Sequence, residues 1–150
     1  MHKTPTKPVL VYADDDEDDL LLVKEALSPY ADIIDIHLFD SGYEAYNFLL
    51  VQEKKGEKPC LVILDINMPA MSGTKLLPML RSLPFFDDVP IILFTTSSMD
   101  HDYRFALKHN AGFITKPMTY HQMDAIVEQF LSHCSDEIKE RIKGTDTAGK

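Results

Sequence analysis

Five side chains in this sequence could together bind a metal ion and a phosphoryl group. Asp14 and Asp15 follow one apolar run, Asp65 follows a second, Thr95 ends a third and Lys116 follows a fourth. Carboxylate oxygens are typical ligands of hard divalent cations. A hydroxyl and an ammonium group can stabilise the charge of phosphoryl oxygens. These residues are therefore candidates for one site, provided that the fold brings them together.

The charges of this candidate site favour a bound cation. Asp14, Asp15 and Asp65 in one crevice would raise the pKa of at least one carboxyl group by mutual repulsion. Oxygen ligands with room for water favour Mg²⁺, with Mn²⁺ as a substitute. A divalent ion and the Lys116 ammonium would cancel the formal charge of the three carboxylates. The alternative is that acidic groups at strand ends only cap the next helix, which is what we expect of Asp16 to Asp19.

Short apolar runs alternate with helical periodicity along the chain, which predicts an α/β fold with a parallel sheet. The apolar content of the runs favours strands buried on both faces, joined by right-handed crossovers. In such a sheet, ligands bind beyond the carboxyl ends of the strands. The predicted strands are Pro8–Ala13, Ile33–Phe39, Cys60–Leu64, Pro90–Thr95 and Gly112–Thr115.

Capping residues and breakers predict five helices between and after these strands. Pro78 lies inside the third, where its missing amide is expected to disturb a turn. The first helix is indicated by Leu20, Val23 and Leu27 and stops near Pro29, the second runs from Ser41 to Gly56, and the third starts at Ser72. The fourth runs from Asp100 to Asn110, and the fifth starts at Thr119 and carries the apolar residues Met123, Ile126, Val127, Phe130 and Leu131.

The composition excludes several classes of protein. A chain of 150 residues that is 45% hydrophobic fits one domain. The net charge of −9 argues against a nucleic-acid partner. The sequence has neither a signal-peptide pattern nor an apolar run of membrane-spanning length, and the six histidines have no zinc-site spacing. Since Cys60 and Cys134 lie in apolar patterns, we expect reduced thiols and a cytoplasmic location.

Four segments resemble response-regulator receiver domains of two-component systems. Asp65–Gly73 is similar to their phosphoacceptor segment, Val9–Asp15 to the first strand and acidic pair, Ile91–Thr96 to the fourth strand, and Gly112–Pro117 to the lysine turn. The resemblance covers about Pro8 to Cys134. It implies a doubly wound, flavodoxin-like five-stranded parallel sheet of order 2-1-3-4-5, as in single-domain chemotaxis regulators or phytochrome partners.

The resemblance also implies a role for each acidic residue. Asp65 would be phosphorylated by a sensor histidine kinase or a histidine phosphotransfer protein. Asp15 would coordinate Mg²⁺ directly, Asp14 mostly through water, and Asn67 through its backbone carbonyl. Asp16 leaves the register of the acidic pair open, and we prefer Asp14 and Asp15 because they follow the apolar strand immediately.

Further residues correspond to the family's switching elements. Thr95 and Lys116 would contact the phosphoryl group, and the peptide bond before Pro117 would be cis. Phe113 occupies the place of the aromatic switch residue, with a plain core aromatic as the alternative. Ser97, two residues beyond Thr95, and Asn67 lie near the path of the hydrolytic water, so we expect both to affect the phosphoryl lifetime.

The function expected from these features is that of a stand-alone response regulator and not of an enzyme. Phosphorylation of Asp65 would change a surface of helix 4, strand 5 and helix 5 that controls a downstream protein. One alternative is a degenerate receiver that only docks. Another is an aspartyl-phosphate phosphatase of the haloacid-dehalogenase type, but that class needs a second aspartate where this chain has Asn67.

The C-terminal segment suggests an additional role. We divide the chain into an arm (residues 1–7), a receiver (8–134) and an extension (135–150) that continues helix 5 and ends in a disordered tail. The four-residue apolar step predicts one long helix that ends near Gly144 and exposes Ile138 and Ile142. We expect this stripe to contribute to a homodimer through helix 5. A separate short helix folded back on the domain, or a fraying tail, is the alternative.

Overall fold

Five parallel strands form one sheet in the computed structural model, which describes residues 7–117 and 120–148. The order is β2-β1-β3-β4-β5, which confirms the predicted fold class and topology. The strands are β1 (Val9–Ala13), β2 (Asp35–Phe39), β3 (Leu61–Leu64), β4 (Ile91–Thr95) and β5 (Gly112–Thr115).

Helices cover both faces of this sheet and close two apolar cores. One core contains side chains of α1, α5 and α6, and the other contains side chains of α2, α3 and α4. The helices are α1 (Glu17–Leu27), α2 (Gly42–Lys55), α3 (Gly73–Arg81), α4 (Asp100–Lys108), α5 (Met123–Ser132) and α6 (Asp136–Ala148). Five of them follow the predicted order, and α6 is additional.

Burial differs between central and edge strands. All residues of β3 and β4 are buried, as are the last four of β1. The edge strands β2 and β5 are mostly half-buried. The prediction of burial on both faces is therefore confirmed for the central strands β1, β3 and β4. It was wrong for β2 and β5, because an edge strand has a neighbouring strand on one side only.

Predicted capping residues begin α2 and α3 and end α2. The Ser41 and Ser72 hydroxyls accept the amides of Glu44 and Lys75 at 3.4 and 3.2 Å. Gly56 ends α2 at φ 72°, a left-handed conformation that favours glycine. Helix α3 runs continuously through Pro78. The predicted cap at Thr119 lies outside the described residues.

The prediction of one long fifth helix was wrong. Helix α5 ends at Ser132, and the His133 and Cys134 amides bond three residues back, to Phe130 and Leu131, in a tightened last turn. A new helix then starts, with the Ser135 carbonyl accepting from Lys139 at 3.1 Å. Serine followed by Asp136 and Glu137 is a helix-start signal. Gly144 lies inside α6 and does not end it.

Candidate functional site

The sheet register brings Asp14, Asp65 and Lys116 to one edge. Strands β1 and β3 pair in parallel with Ala13 opposite Leu64, so the next residues, Asp14 and Asp65, leave the sheet side by side. The Asp65 amide donates to the Ala13 carbonyl at 3.0 Å, and the Lys116 amide donates to the Thr95 carbonyl at 2.7 Å. Backbone hydrogen bonds therefore hold the Asp65 and Lys116 backbone at the carboxyl ends of the strands.

Three carboxylates form a cluster at this edge. One oxygen each of Asp14, Asp15 and Asp65 lies within 4.8 Å of the others. Asp14 and Asp65 are buried, whereas Asp15 is exposed. Burial and the neighbouring Asp14 charge raise the pKa of Asp65 to about 6, although Lys116 acts to lower it. Three clustered carboxylates offer the hard oxygen donors that a divalent cation prefers.

The Lys116 ammonium group neutralises part of this charge. Its Nζ lies 2.7 Å from Asp14 Oδ2, 2.8 Å from Asp19 Oδ2 and 3.6 Å from Asp65 Oδ1. Burial lowers the pKa of Lys116, but its hydrogen bonds to Asp14 and Asp19 outweigh that effect, so the pKa lies above its usual value. Lys116 is thus a charged group held closer to Asp14 and Asp19 than to Asp65.

The position of Asp16 bears on the register of the acidic pair. Its carboxylate accepts the Asp18 and Asp19 amides at 2.9 and 3.2 Å and so caps α1. The carboxylate that joins the cluster is that of Asp15. This geometry supports Asp14 and Asp15 as the candidate metal-binding pair.

The loop after β3 passes very close to the start of α3. The Gly73 amide donates to the Ile66 carbonyl at 3.1 Å, and a Cβ on Gly73 would lie 2.4 Å from the Asp65 carbonyl oxygen. Only glycine allows this approach. Asn67, whose carbonyl was the predicted metal ligand, lies in this loop and is exposed.

Thr95 and Phe113 occupy different environments. Thr95 is fully buried at the end of β4, and its Oγ1 accepts the Ser97 amide at 3.2 Å. Phe113 is half-buried, with its ring centroid 5.8 Å from that of Tyr103 on α4. The peptide bond before Pro117 is trans, so the cis bond implied by the resemblance was wrong. Trans is the intrinsically preferred form of such a bond.

The family model of the response regulator receiver domain matches residues 9–128. This chain belongs to that family. This chain is 28% identical to hybrid signal transduction histidine kinase D of Dictyostelium discoideum over 128 residues, and the aligned region covers 84% of this chain and 8% of that protein. It is 32% identical over 99 residues to a chemotaxis protein CheY homolog of Campylobacter jejuni, across 65% of this chain and 73% of the relative.

A solved structure, the Mn²⁺-bound form of response regulator Rcp1, has the same fold as this receiver. The TM-score is 0.73 at 24% identity, over 83% of this chain and 92% of that one. Receivers of this family act as signalling switches in two-component systems. Among the described residues of this receiver, no helix combines the length and apolar character needed to cross a membrane.

Sequence reasoning missed two residues of the receiver's site. The fully buried Tyr12 donates its hydroxyl to Asp14 Oδ2, and burial together with Asp14 raises the pKa of Tyr12. Tyr12 precedes Asp14 by two positions on a strand, so both face the same way, which was a usable signal. Asp19 was assigned to helix capping, and its contact with Lys116 depends on how α1 is oriented.

Proposed function

We propose that this receiver is a cytoplasmic response regulator in which Asp65 accepts a phosphoryl group. One observation carries the proposal: a buried carboxylate with a raised pKa lies beside Asp14, Asp15 and the Lys116 ammonium group. Such an arrangement positions a nucleophile and concentrates positive charge where phosphoryl oxygens would arrive once a cation is bound. The donor is a phosphohistidine of a sensor kinase or phosphotransfer protein.

The reaction requires an ionised Asp65. A carboxylate oxygen attacks phosphorus, the bond between phosphorus and the histidine nitrogen breaks, and that nitrogen keeps the electron pair and later takes up a proton. Lys116 contacts the incoming phosphoryl oxygens, and Thr95 donates its hydroxyl to another. A Mg²⁺ or Mn²⁺ ion would be held by Asp15, Asp65 and the Asn67 carbonyl, and by Asp14 through water. It would supply positive charge that favours phosphoryl transfer.

The output surface consists of α4, β5 and α5, and it controls a downstream protein partner. Helix α4 carries large exposed apolar side chains at four-residue spacing: Met99, Tyr103 and Leu107 are 58, 48 and 59% exposed. The Tyr103 ring contacts Phe113 on β5. Rotation of Phe113 on phosphorylation would therefore change the surface that Tyr103 presents.

The test is direct phosphorylation with a small donor. Wild-type protein incubated with acetyl phosphate and Mg²⁺ should gain one acid-labile phosphate, measured by mass spectrometry and phosphate-affinity electrophoresis. Asp65→Asn should gain none. Asp32→Asn, which changes an exposed aspartate away from the cluster, should behave like wild type. Full phosphorylation of Asp65→Asn, or none of wild type, would overturn the proposal in favour of another acceptor or a docking role.

A further inference from the structure

A continuous set of hydrogen bonds joins Thr95 to the first turn of α4. The Ser97 amide donates to Thr95 Oγ1 at 3.2 Å. The Ser97 hydroxyl donates to Asp102 Oδ2 at 2.5 Å and accepts the Met99 amide at 3.2 Å. Ser97 therefore connects the end of β4 to the start of α4 through both its backbone and its side chain.

Asp102 is an unusual residue to find buried. Its side chain is 12% exposed, and its Oδ1 lies 3.1 Å from His101 Nε2, which is largely exposed. A carboxylate with so little solvent is retained only when its oxygens are hydrogen-bonded. The bond from Ser97 is charge-assisted and short, so it is among the stronger contacts of this loop.

Ser97 also caps the N-terminus of α4. Met99 stands at the N-cap position of α4 and has no side-chain oxygen. The Ser97 hydroxyl, two residues earlier, accepts the Met99 amide instead, and its own proton goes to Asp102 in the first turn. The position of the first turn of α4 thus depends on the Ser97–Asp102 contact.

We propose that Ser97 and Asp102 are positioning residues that form a latch, and that the latch holds Thr95 and α4 in the unphosphorylated arrangement. The inference rests on the proposed phosphorylation of Asp65. When Thr95 turns its hydroxyl toward a phosphoryl oxygen, Oγ1 leaves the Ser97 amide, since a β-branched side chain moves between discrete rotamers. Ser97 then shifts and loosens its bond to Asp102.

Tyr103 connects the latch to the exposed surface of α4. Tyr103 follows Asp102 in the same turn, and its ring lies against Phe113. The contacts therefore run from Thr95 through Ser97 and Asp102 to Tyr103. A double-mutant cycle of Ser97 and Asp102 measures the energetic coupling along these contacts.

The experiment uses the full chain with Ser97→Ala, Asp102→Ala and the double variant. Opening the latch raises the population of the arrangement that accepts a phosphoryl group, so beryllofluoride with Mg²⁺ should bind each single variant about three- to tenfold more tightly than wild type. Fluorine NMR of the bound adduct measures this affinity. The double variant should gain no more than either single variant, because both substitutions break one contact.

A matched control separates the latch from a charge effect. Asp100→Ala removes the same charge from the same turn, but Asp100 is 82% exposed and pairs with Arg104. It should leave the beryllofluoride affinity unchanged. Hydrogen exchange in the unliganded protein should accelerate at the Met99 amide in Ser97→Ala but not in Asp100→Ala. Should Asp102→Ala fold poorly, Asp102→Asn keeps the side-chain size and should show a smaller shift of the same sign.

The outcomes distinguish the latch from the switch itself. Wild type that binds beryllofluoride while the latch variants match wild type would overturn the latch alone. Additive effects of the two substitutions would also overturn it, because independent sites add. Wild type that binds no beryllofluoride would overturn the proposed function, and the latch with it.

Discussion

Asp14 is the side chain on which most contacts of the site converge. Its Oδ2 accepts from Tyr12 and Lys116, and its Oδ1 accepts the Asp16 amide at 3.0 Å. These three hydrogen bonds satisfy both oxygens of a fully buried side chain. Asp65 has the more distant Lys116 contact, at 3.6 Å, and it is Asp65 whose pKa is raised. Ionisation is therefore disfavoured at Asp65, which is the proposed phosphoacceptor.

The raised pKa of Asp65 makes the stability of the metal-free protein depend on pH. A folded-state pKa of about 6 exceeds the unfolded value, so the ionised carboxylate destabilises the fold above that pH, and the effect disappears as pH falls toward the unfolded value. In the presence of a chelator, Asp65→Asn should raise the free energy of unfolding by about 1–3 kcal/mol near pH 7.5 and by clearly less near pH 4.5.

Urea unfolding at both pH values measures this difference. Asp32→Asn, an exposed substitution, should change the free energy of unfolding by less than about 0.5 kcal/mol at either pH. An Asp65→Asn variant with the same gain at both pH values would show that the Asp65 pKa is not raised in the folded protein.

The types of residue at the site were predictable, but their pairings were not. Asp14, Asp65 and Lys116 follow buried strands, and in a parallel sheet the carboxyl ends of strands meet at one edge. Which carboxylate Lys116 approaches most closely depends on side-chain rotamers and on the tilt of α1. Neither quantity has a signature in the sequence, and the contact between Asp19 and Lys116 was therefore missed.

At the scale of elements, the predicted strands begin at most two residues early, and each ends at the observed residue. Apolar runs define strands well because burial and pairing both require them. The boundary between α5 and α6 was missed because the apolar step of four residues continues across it. The helix-start signal at Ser135 and Asp136 competed with that periodicity, and the structure follows the start signal.

Arg81, at the end of α3, joins two connecting segments through its hydrogen bonds. Its guanidinium donates to the carbonyls of Val89, His109 and Asn110 at 2.9, 2.9 and 2.8 Å, and also to that of Phe86. One side chain therefore satisfies carbonyls in the connection before β4 and in the turn before β5. The planar, multiply donating group suits this role, which lysine could not fill.

Replacing Arg81 by methionine should reduce the free energy of unfolding by about 2–4 kcal/mol, because carbonyls in two connections lose a charged donor. Urea denaturation measures the loss. Arg104→Met is the matched control, since Arg104 is 77% exposed and pairs with Asp100, which is 82% exposed. Its effect should stay within about 0.5 kcal/mol. Equal effects of the two substitutions would show that the Arg81 contacts do not stabilise the fold.

At the scale of the whole molecule, α6 belongs to the packed domain. Ile138 and Ile142 are 8 and 9% exposed and join the core that contains α1, α5, Cys60 and Cys134. The expectation that both side chains are exposed was wrong, because the break after Ser132 turns α6 back onto its own domain. Ile138 and Ile142 are therefore not free to form a homodimer interface, since the chain already covers the apolar surface that a second copy would have buried.

Substitution of Ile138 distinguishes a helix that stabilises its own domain from one that mediates assembly. Ile138→Ala should lower the free energy of unfolding by about 2–3 kcal/mol, at the lower end of the range for core isoleucines. Ile138 lines an open pocket of about 410 Å³ with Cys60 and His133, so truncation would leave space that solvent can reach and not a closed void. Leu21→Ala, which shortens a side chain that is 53% exposed, should cost less than about 0.5 kcal/mol.

Sedimentation of wild type and Ile138→Ala should give the same molecular mass. An unchanged unfolding free energy together with a loss of mass in Ile138→Ala would instead place Ile138 in an interface between copies.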